Sequence, residues 1–161
     1  MTSWAAGRGI LVADLAERFA RASTQLGRAK ESEVRELPRK LSGLTVPGVY
    51  LGQATEVQVP AFTSIEPYRS PDGQTEIDAL AENGERWAVE VKWRQKRVGR
   101  HDLEQLLSVA TGLGARPWCV SQAGFTPEAL TFAAENAILL SGAEDLTALT
   151  RLVSNAANCT G

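Results

Sequence analysis

Two strand-forming runs joined by a tight turn constrain this chain more than any other feature. Thr75 to Ala81 and Arg86 to Arg94 are linked by Glu82-Asn83-Gly84-Glu85, with Asn-Gly at the tip of a hairpin. The second run reads Trp87-Ala88-Val89-Glu90-Val91-Lys92-Trp93. Residues two apart on a strand share a face, so Glu90 and Lys92 point to one side while Val89, Val91 and Trp93 point to the other. Charges that interrupt an apolar strand call for a structural or functional partner. Asp78, on the first run, can join them only if directly paired residue numbers sum to an even value, which requires a loop of odd length. A two-residue Asn83-Gly84 turn fails this test. The loop Glu82-Asn83-Gly84, a type I turn with Gly84 left-handed in a bulge, meets it.

The remaining sequence surrounds the hairpin with alternating elements. Ile10, Leu11, Leu15, Phe19 and Ala22 mark a helix over Gly9 to Ala22, and Arg28 to Lys40 reads as a weaker helix before the breakers Pro38, Pro47 and Gly48. Val49 to Pro60 and Phe62 to Tyr68 read as strands, the latter closed by the turn Ser70-Pro71-Asp72-Gly73. Past Gly99, Leu103, Leu106, Leu107, Ala110 and Leu113 return to helical spacing, and a strand is expected over Pro117 to Ser121. Thr126-Pro127-Glu128 starts a further helix, Ala137 to Leu140 a further strand, and Ser141-Gly142 a last helix toward Val153 before a polar tail from Asn155 to Gly161. This order predicts an α/β fold, a mixed sheet with helices on both faces, in one domain.

Composition narrows the chemistry. The 17 Lys and Arg against 19 Asp and Glu provide no long-range attraction for a polyanion, so a nucleic-acid site has to be a local patch. Arg94, Lys96, Arg97 and Arg100, beside His101, form such a patch just after the hairpin. One histidine and two distant cysteines, Cys119 and Cys159, supply neither a zinc cluster nor a serine triad, so metal or acid-base chemistry must rest on carboxylates. Asp78 and Glu90 are oxygen donors suited to a hard cation such as Mg²⁺, with Lys92 placed to assist a water or stabilise charge on phosphorus. No apolar run of membrane-spanning length and no secretory leader is evident, and a reducing cytoplasm is the expected location. Trp87, Trp93, Trp118 and Cys119 read as core residues, Trp4 as an interface anchor, and His101 as a surface residue at a helix start.

An acidic residue on one strand, a hairpin, and Glu-x-Lys on the next resembles the PD-(D/E)XK nucleases, the restriction-endonuclease-like superfamily. Asp78, Glu90 and Lys92 match its motif, with Ile77 in place of the proline. The downstream phrase Gly124-Phe125-Thr126-Pro127-Glu128-Ala129-Leu130 is similar to the Mrr-like branch, and the resemblance covers residues 75–146. It implies a restriction-endonuclease-like sheet and a DNA endonuclease of the restriction or defence type using Mg²⁺ or Mn²⁺. The helix 9–22 resembles the leading helix of that branch, which carries a site glutamate, making Glu17 the candidate and Asp14 its rival; Gln105 is a secondary candidate. Residues 23–74 have no counterpart and read as an insert, extra strands, a dimerisation element or a decoration of the core. A homodimer is expected, because one site cuts one strand of a duplex. The alternative is a catalytically silent nuclease-like module that binds DNA or protein within a larger assembly.

Overall fold

The computed structural model describes residues 26–159, and side chains through residue 157. The helix expected over 9–22, with Glu17, Asp14 and Trp4, lies outside the described residues, as does the end of the tail. In chain order the elements are α1 (26–41), β1 (Thr45–Val46), a 3₁₀ turn (Gly48–Leu51), β2 (Val57–Gln58), β3 (Ser64–Arg69), β4 (Glu76–Asn83) and β5 (Glu85–Lys92). They continue with α2 (Arg100–Gly112), β6 (Ala115–Ser121), α3 (Pro127–Asn136), β7 (Leu139–Ser141) and α4 (Ala143–Cys159).

Five strands form one sheet in the order β3-β4-β5-β6-β7, antiparallel from β3 to β5 and parallel from β5 to β7. The central strand β5 is therefore antiparallel to one neighbour and parallel to the other. Alternation along it divides the core. Trp87, Val89 and Val91 pack with Val34, Leu37 and Leu41 of α1, with β1 and β2, and with Leu146 and Leu149 of α4. Ala88 faces the other way, toward Leu103, Leu106 and Ala110 of α2 and Ala129 and Ala133 of α3. Helices thus cover both faces, as the mixed α/β reading expected. Two edge-to-face contacts, Phe62 on Trp87 at 5.6 Å and Trp87 on Trp118 at 6.1 Å, form the aromatic centre of the first layer.

Several local expectations are corrected. The helix α1 runs through Pro38 to residue 41: Val34, Leu37 and Leu41 form a buried stripe at spacings of three and four, and that burial outweighs the backbone hydrogen bond Pro38 cannot donate. Residues 26–65, without a counterpart in the sequence resemblance, contribute Val34, Leu37, Leu41, Val46, Leu51 and Val57 to one layer of the core. Val49 to Pro60 is not one long strand: the backbone turns tightly at Gly48, where a Cβ would collide with the Thr55 carbonyl, and only Val57–Gln58 pair with β1. The last helix extends to Cys159 rather than fraying from Asn155. Ala137 does not begin β7; it caps α3 in the left-handed region at φ 55°. The expected N-cap holds, since the Thr126 hydroxyl accepts the Ala129 N–H with Pro127 at the first helical position.

Candidate active site

The hairpin places three of the expected residues together. Asn83 pairs with Glu85 and Ala79 with Val89, leaving only Gly84, at φ 73°, between the strands. The loop is odd in length, as the argument from parity required, but it is Gly84 alone rather than Glu82-Asn83-Gly84. Leu80 pairs with Ala88, which faces α2, but alternation cannot be carried from there to Asp78, because Ala79 packs in the α1 layer and Ile77 in the α2 layer; Asp78 is set beside Glu90 by the irregularity between them.

Asp78 stands at an irregularity in β4. The β3–β4 register passes from Glu66↔Leu80 to Tyr68↔Ile77, so β4 carries one extra residue there, a β-bulge. The β4–β5 pairing stops at Ala79↔Val89, and beyond it the Asp78 carboxylate accepts the Val91 N–H at 2.7 Å. A side chain thus satisfies a strand donor that the bulged backbone leaves free. The Asp78 carbonyl in turn accepts from Arg35 Nε of α1 at 3.1 Å.

The Asp78 and Glu90 carboxyl groups lie within hydrogen-bonding range of each other. Burial, the hydrogen bond with Asp78 and its negative charge push the Glu90 carboxyl up to about 9, against the pull of Lys92. Glu31 adds to this repulsion. It lies on α1, and its own carboxyl is raised by burial and by Asp78, opposed by Arg35, Arg28 and Lys92. The helix bringing a glutamate to the site among the described residues is therefore α1 with Glu31. Its only sequence signal was a position in a charged helix without an evident apolar stripe.

Glu90 and Lys92 open into a cleft of about 580 Å³ between the start of β4 and α2, lined also by Gln74, Thr75, His101 and Gln105. Gln105 is thus at the cleft. His101 is exposed at the second position of α2, as expected. The basic segment is divided. Arg94 bonds Asp102 at 2.9 Å and Arg100 bonds Glu104 at 2.8 Å while lying over the Phe132 ring. Despite partial burial, the Asp102 carboxyl is held below the usual range by the Gly99 N–H and Arg94. Lys96 and Arg97 are exposed and form no ion pair among the described residues. Between them and α2, buried Val98 pins the loop by bonding Gly124 and Thr126. Cys119 is buried, and burial pushes its thiol well above the usual range, as fits a core thiol.

A family model described as Restriction endonuclease, Mrr_cat, matches residues 62–150, more than half of the chain. The chain belongs to this restriction endonuclease family. The superfamily resemblance drawn from Asp78, Glu90 and Lys92 is thereby borne out, and the family is one of nucleases. Similar solved structures include AF1548, a protein of unknown function, at 25% identity over 50% of this chain and 47% of that one, with a TM-score of 0.39. Another is EndoMS in a complex with dsDNA, at 16% identity over 50% of this chain and 36% of that one, with a TM-score of 0.34. The match spans less than half of either structure's chain. No match is found among curated proteins. Within the restriction endonuclease segment lie Asp78, Glu90, Lys92 and the basic loop, whereas Glu31 and Arg35 lie before it. Among the described residues no helix is long and apolar enough to cross a membrane.

The raised Glu90 carboxyl gives a pH dependence whose sign is fixed. Its folded value of about 9 exceeds that of a carboxyl in the unfolded chain, so the folded state binds this proton more tightly. The resulting stabilisation is fully present below the unfolded value and is lost as pH rises through the folded one. In metal-free buffer the melting temperature is expected to fall from pH 5 to pH 9, and Glu90→Gln to flatten that fall. Thermal melts of both proteins across this range, in a chelator, provide the check; parallel profiles would remove Glu90 as the source.

Proposed function

We propose that this chain is a divalent-cation-dependent DNA endonuclease in which Asp78 and Glu90 hold the cation and Lys92 serves the attacking water. The observation that carries this reading is the approach of the Asp78 and Glu90 carboxyl groups to each other, with Glu90 and Lys92 both lining a cleft. The donor set suits a hard cation: its atoms are oxygens, and burial first, then the Asp78 and Glu31 carboxylates beside it, raise Glu90 to about 9 against the pull of Lys92. Among the described residues no group of three or more His, Cys, Asp or Glu side chains is placed to hold a metal by itself, so this reading requires water and substrate phosphate to complete the coordination. When bound, Mg²⁺, or Mn²⁺ in its place, supplies an acidified water and neutralises charge on the phosphate.

The chain's own residues do the rest. Lys92 keeps a cation beside the reacting phosphate, where it orients the water and stabilises the charge that grows in the transition state. Glu31 adds a third carboxylate from α1, within electrostatic reach of Asp78, Glu90 and Lys92. It is a second acceptor for a water proton or water-mediated cation contact, in the role expected of Glu17. Gln105 offers a neutral amide to the substrate from the opposite wall of the cleft.

DNA is held first through its phosphates. Lys96 and Arg97, exposed on a loop pinned at Val98, are the unpaired cations nearest the site in sequence, whereas Arg94 and Arg100 hold α2. Replacing Lys96 and Arg97 together by Ala is expected to weaken DNA binding about tenfold at moderate salt and to reduce the slope of log affinity against log salt by about two. Arg94→Ala should act mainly by loosening the start of α2. Fluorescence anisotropy over a salt series checks both, and an unchanged slope for the double variant would place the phosphate contacts elsewhere.

Purified protein incubated with plasmid, linear and branched DNA, with Mg²⁺, Mn²⁺ or a chelator, tests the reading directly. Metal-dependent cleavage supports it. Binding without cleavage across all metals and substrates would favour the silent-module alternative. The same plasmid assay reports on a homodimer: a second copy cutting the opposite strand gives linear product without a lag, whereas one copy gives nicked circles first.

A further inference from the structure

We propose that Arg35 is a positioning residue of the active site: it holds the bulge of β4 in the shape that aims the Asp78 carboxylate at Glu90. The role rests on the nuclease reading above for its catalytic consequence, but its structural content stands apart from that reading.

The β4 bulge disturbs two backbone groups at once. The ladder to β5 ends at Ala79↔Val89, and the β3 register jumps across Ile77 to Leu80, so the Asp78 peptide lies where regular pairing has lapsed on both sides. An unpaired strand N–H or C=O away from water is unfavourable, and each of these finds a replacement. The Val91 N–H goes to Asp78 Oδ2 at 2.7 Å, and the Asp78 C=O takes Arg35 Nε at 3.1 Å. One residue is thereby gripped at both ends, its backbone by α1 and its side chain by β5. The carboxylate can keep its bond to Val91 only while the peptide stays in place.

Arg35 reaches this carbonyl from 43 residues away in sequence and from a helix outside the restriction endonuclease segment. The helix is firmly seated, since Val34 and Leu37 on either side of Arg35 are buried in the first core layer. It is held at its other end too, where Lys30 lies over the Trp93 ring at 4.6 Å. Glu31, one turn before Arg35, shares its face and is brought toward the same carboxylates. A planar guanidinium on a rigid helix suits this task because its Nε–H has a fixed direction relative to the stem. The bond is made to a backbone carbonyl, so it selects the conformation of the Asp78 residue and leaves both carboxylate oxygens to other partners. Partners that orient a ligating carboxylate typically alter metal affinity by about 10–100-fold when removed.

The test compares wild type with Arg35→Met, which keeps the stem and removes the donors, Arg35→Gln, and Arg35→Lys, whose ammonium can still donate to the carbonyl. The first measurement is metal-free: amide hydrogen exchange at Val91 read by NMR. Arg35→Met is expected to speed exchange at Val91 by at least about tenfold while Val120, on β6, keeps its protection, and Arg35→Lys to restore much of the loss. If Arg35→Met does not fold, Arg35→Gln carries the comparison. The second measurement is Mn²⁺ titration by calorimetry, where the Met variant should bind about tenfold or more weakly at a temperature where it is fully folded. A purely structural arginine would lower the melting temperature and leave Val91 exchange and Mn²⁺ affinity as in wild type; that result overturns the proposal. If wild type itself takes up no Mn²⁺, the metal reading falls, and Val91 exchange still decides the role of Arg35.

Discussion

Ala in place of Asp78, Glu90 or Lys92 is expected to reduce Mg²⁺-dependent DNA cleavage by about three orders of magnitude each, with the fold retained. The three variants should differ in everything else. Asp78→Ala removes the acceptor of the Val91 N–H and so leaves a strand donor free, which predicts a small loss of stability. Glu90→Ala removes a carboxyl whose ionisation the fold opposes, so stability in a chelator at pH 8 should hold or rise. DNA affinity without metal should likewise hold or rise in both, because negative charge beside a phosphate is lost. Lys92→Ala should slow cleavage with little change in metal affinity. Plasmid cleavage rates, thermal melts and metal-free anisotropy on the same preparations separate these effects. If all three variants cut as fast as wild type, the activity has another source.

A loss of about 3–5 kcal/mol is expected for Trp87→Ala, the largest single effect on stability anticipated in this chain. Trp87 is fully buried on the central strand, in edge contact with both Phe62 and Trp118. The cavity left by its indole could collapse only by moving Phe62 and Trp118, and the melting temperature should fall by roughly 10 °C. Trp87→Phe should cost far less than Ala, because a ring still fills part of the space. The indole N–H of Trp87 is also buried without a hydrogen-bond partner, so its removal gives up no bond. Trp118 differs, since its N–H donates to Ser141 Oγ at 2.9 Å, and Trp118→Phe should leave that hydroxyl short of a donor. Denaturant or thermal unfolding of the three variants measures the order, and equal losses for Trp87→Phe and Trp87→Ala would contradict the packing account.

The legible parts of the site were those governed by short-range rules. Glu90 and Lys92 share a face because strand side chains alternate with a period of two, whereas Asp78 joins them through a bulge in β4 that the parity argument did not include. The odd loop was legible, although Gly84 alone spans the turn; the bulge that carries Asp78 was not. The Thr126-Pro127 helix start was equally local, a hydroxyl meeting an N–H three residues on.

The role of α1 was not legible. Its charges and Pro38 hid the stripe of Val34, Leu37 and Leu41, whose value as a helix face appears only when a sheet lies beneath it. Which basic residues are free was equally hidden. Arg94 and Arg100 look the same in sequence as Lys96 and Arg97, and only the approach of Asp102 and Glu104 on the first turns of α2 distinguishes them.

By itself, then, the sequence determined the sheet-forming hairpin, the common face of Glu90 and Lys92, and the alternation of helices and strands that follows, because each depends on periodicity or on caps within a few residues. Tertiary structure decided the bulge at Asp78, the arrival of Glu31 and Arg35 from α1, and the height to which Glu90 holds its proton. These depend on burial and on contacts between residues tens of positions apart, and such contacts exist only after the two layers have closed on the sheet.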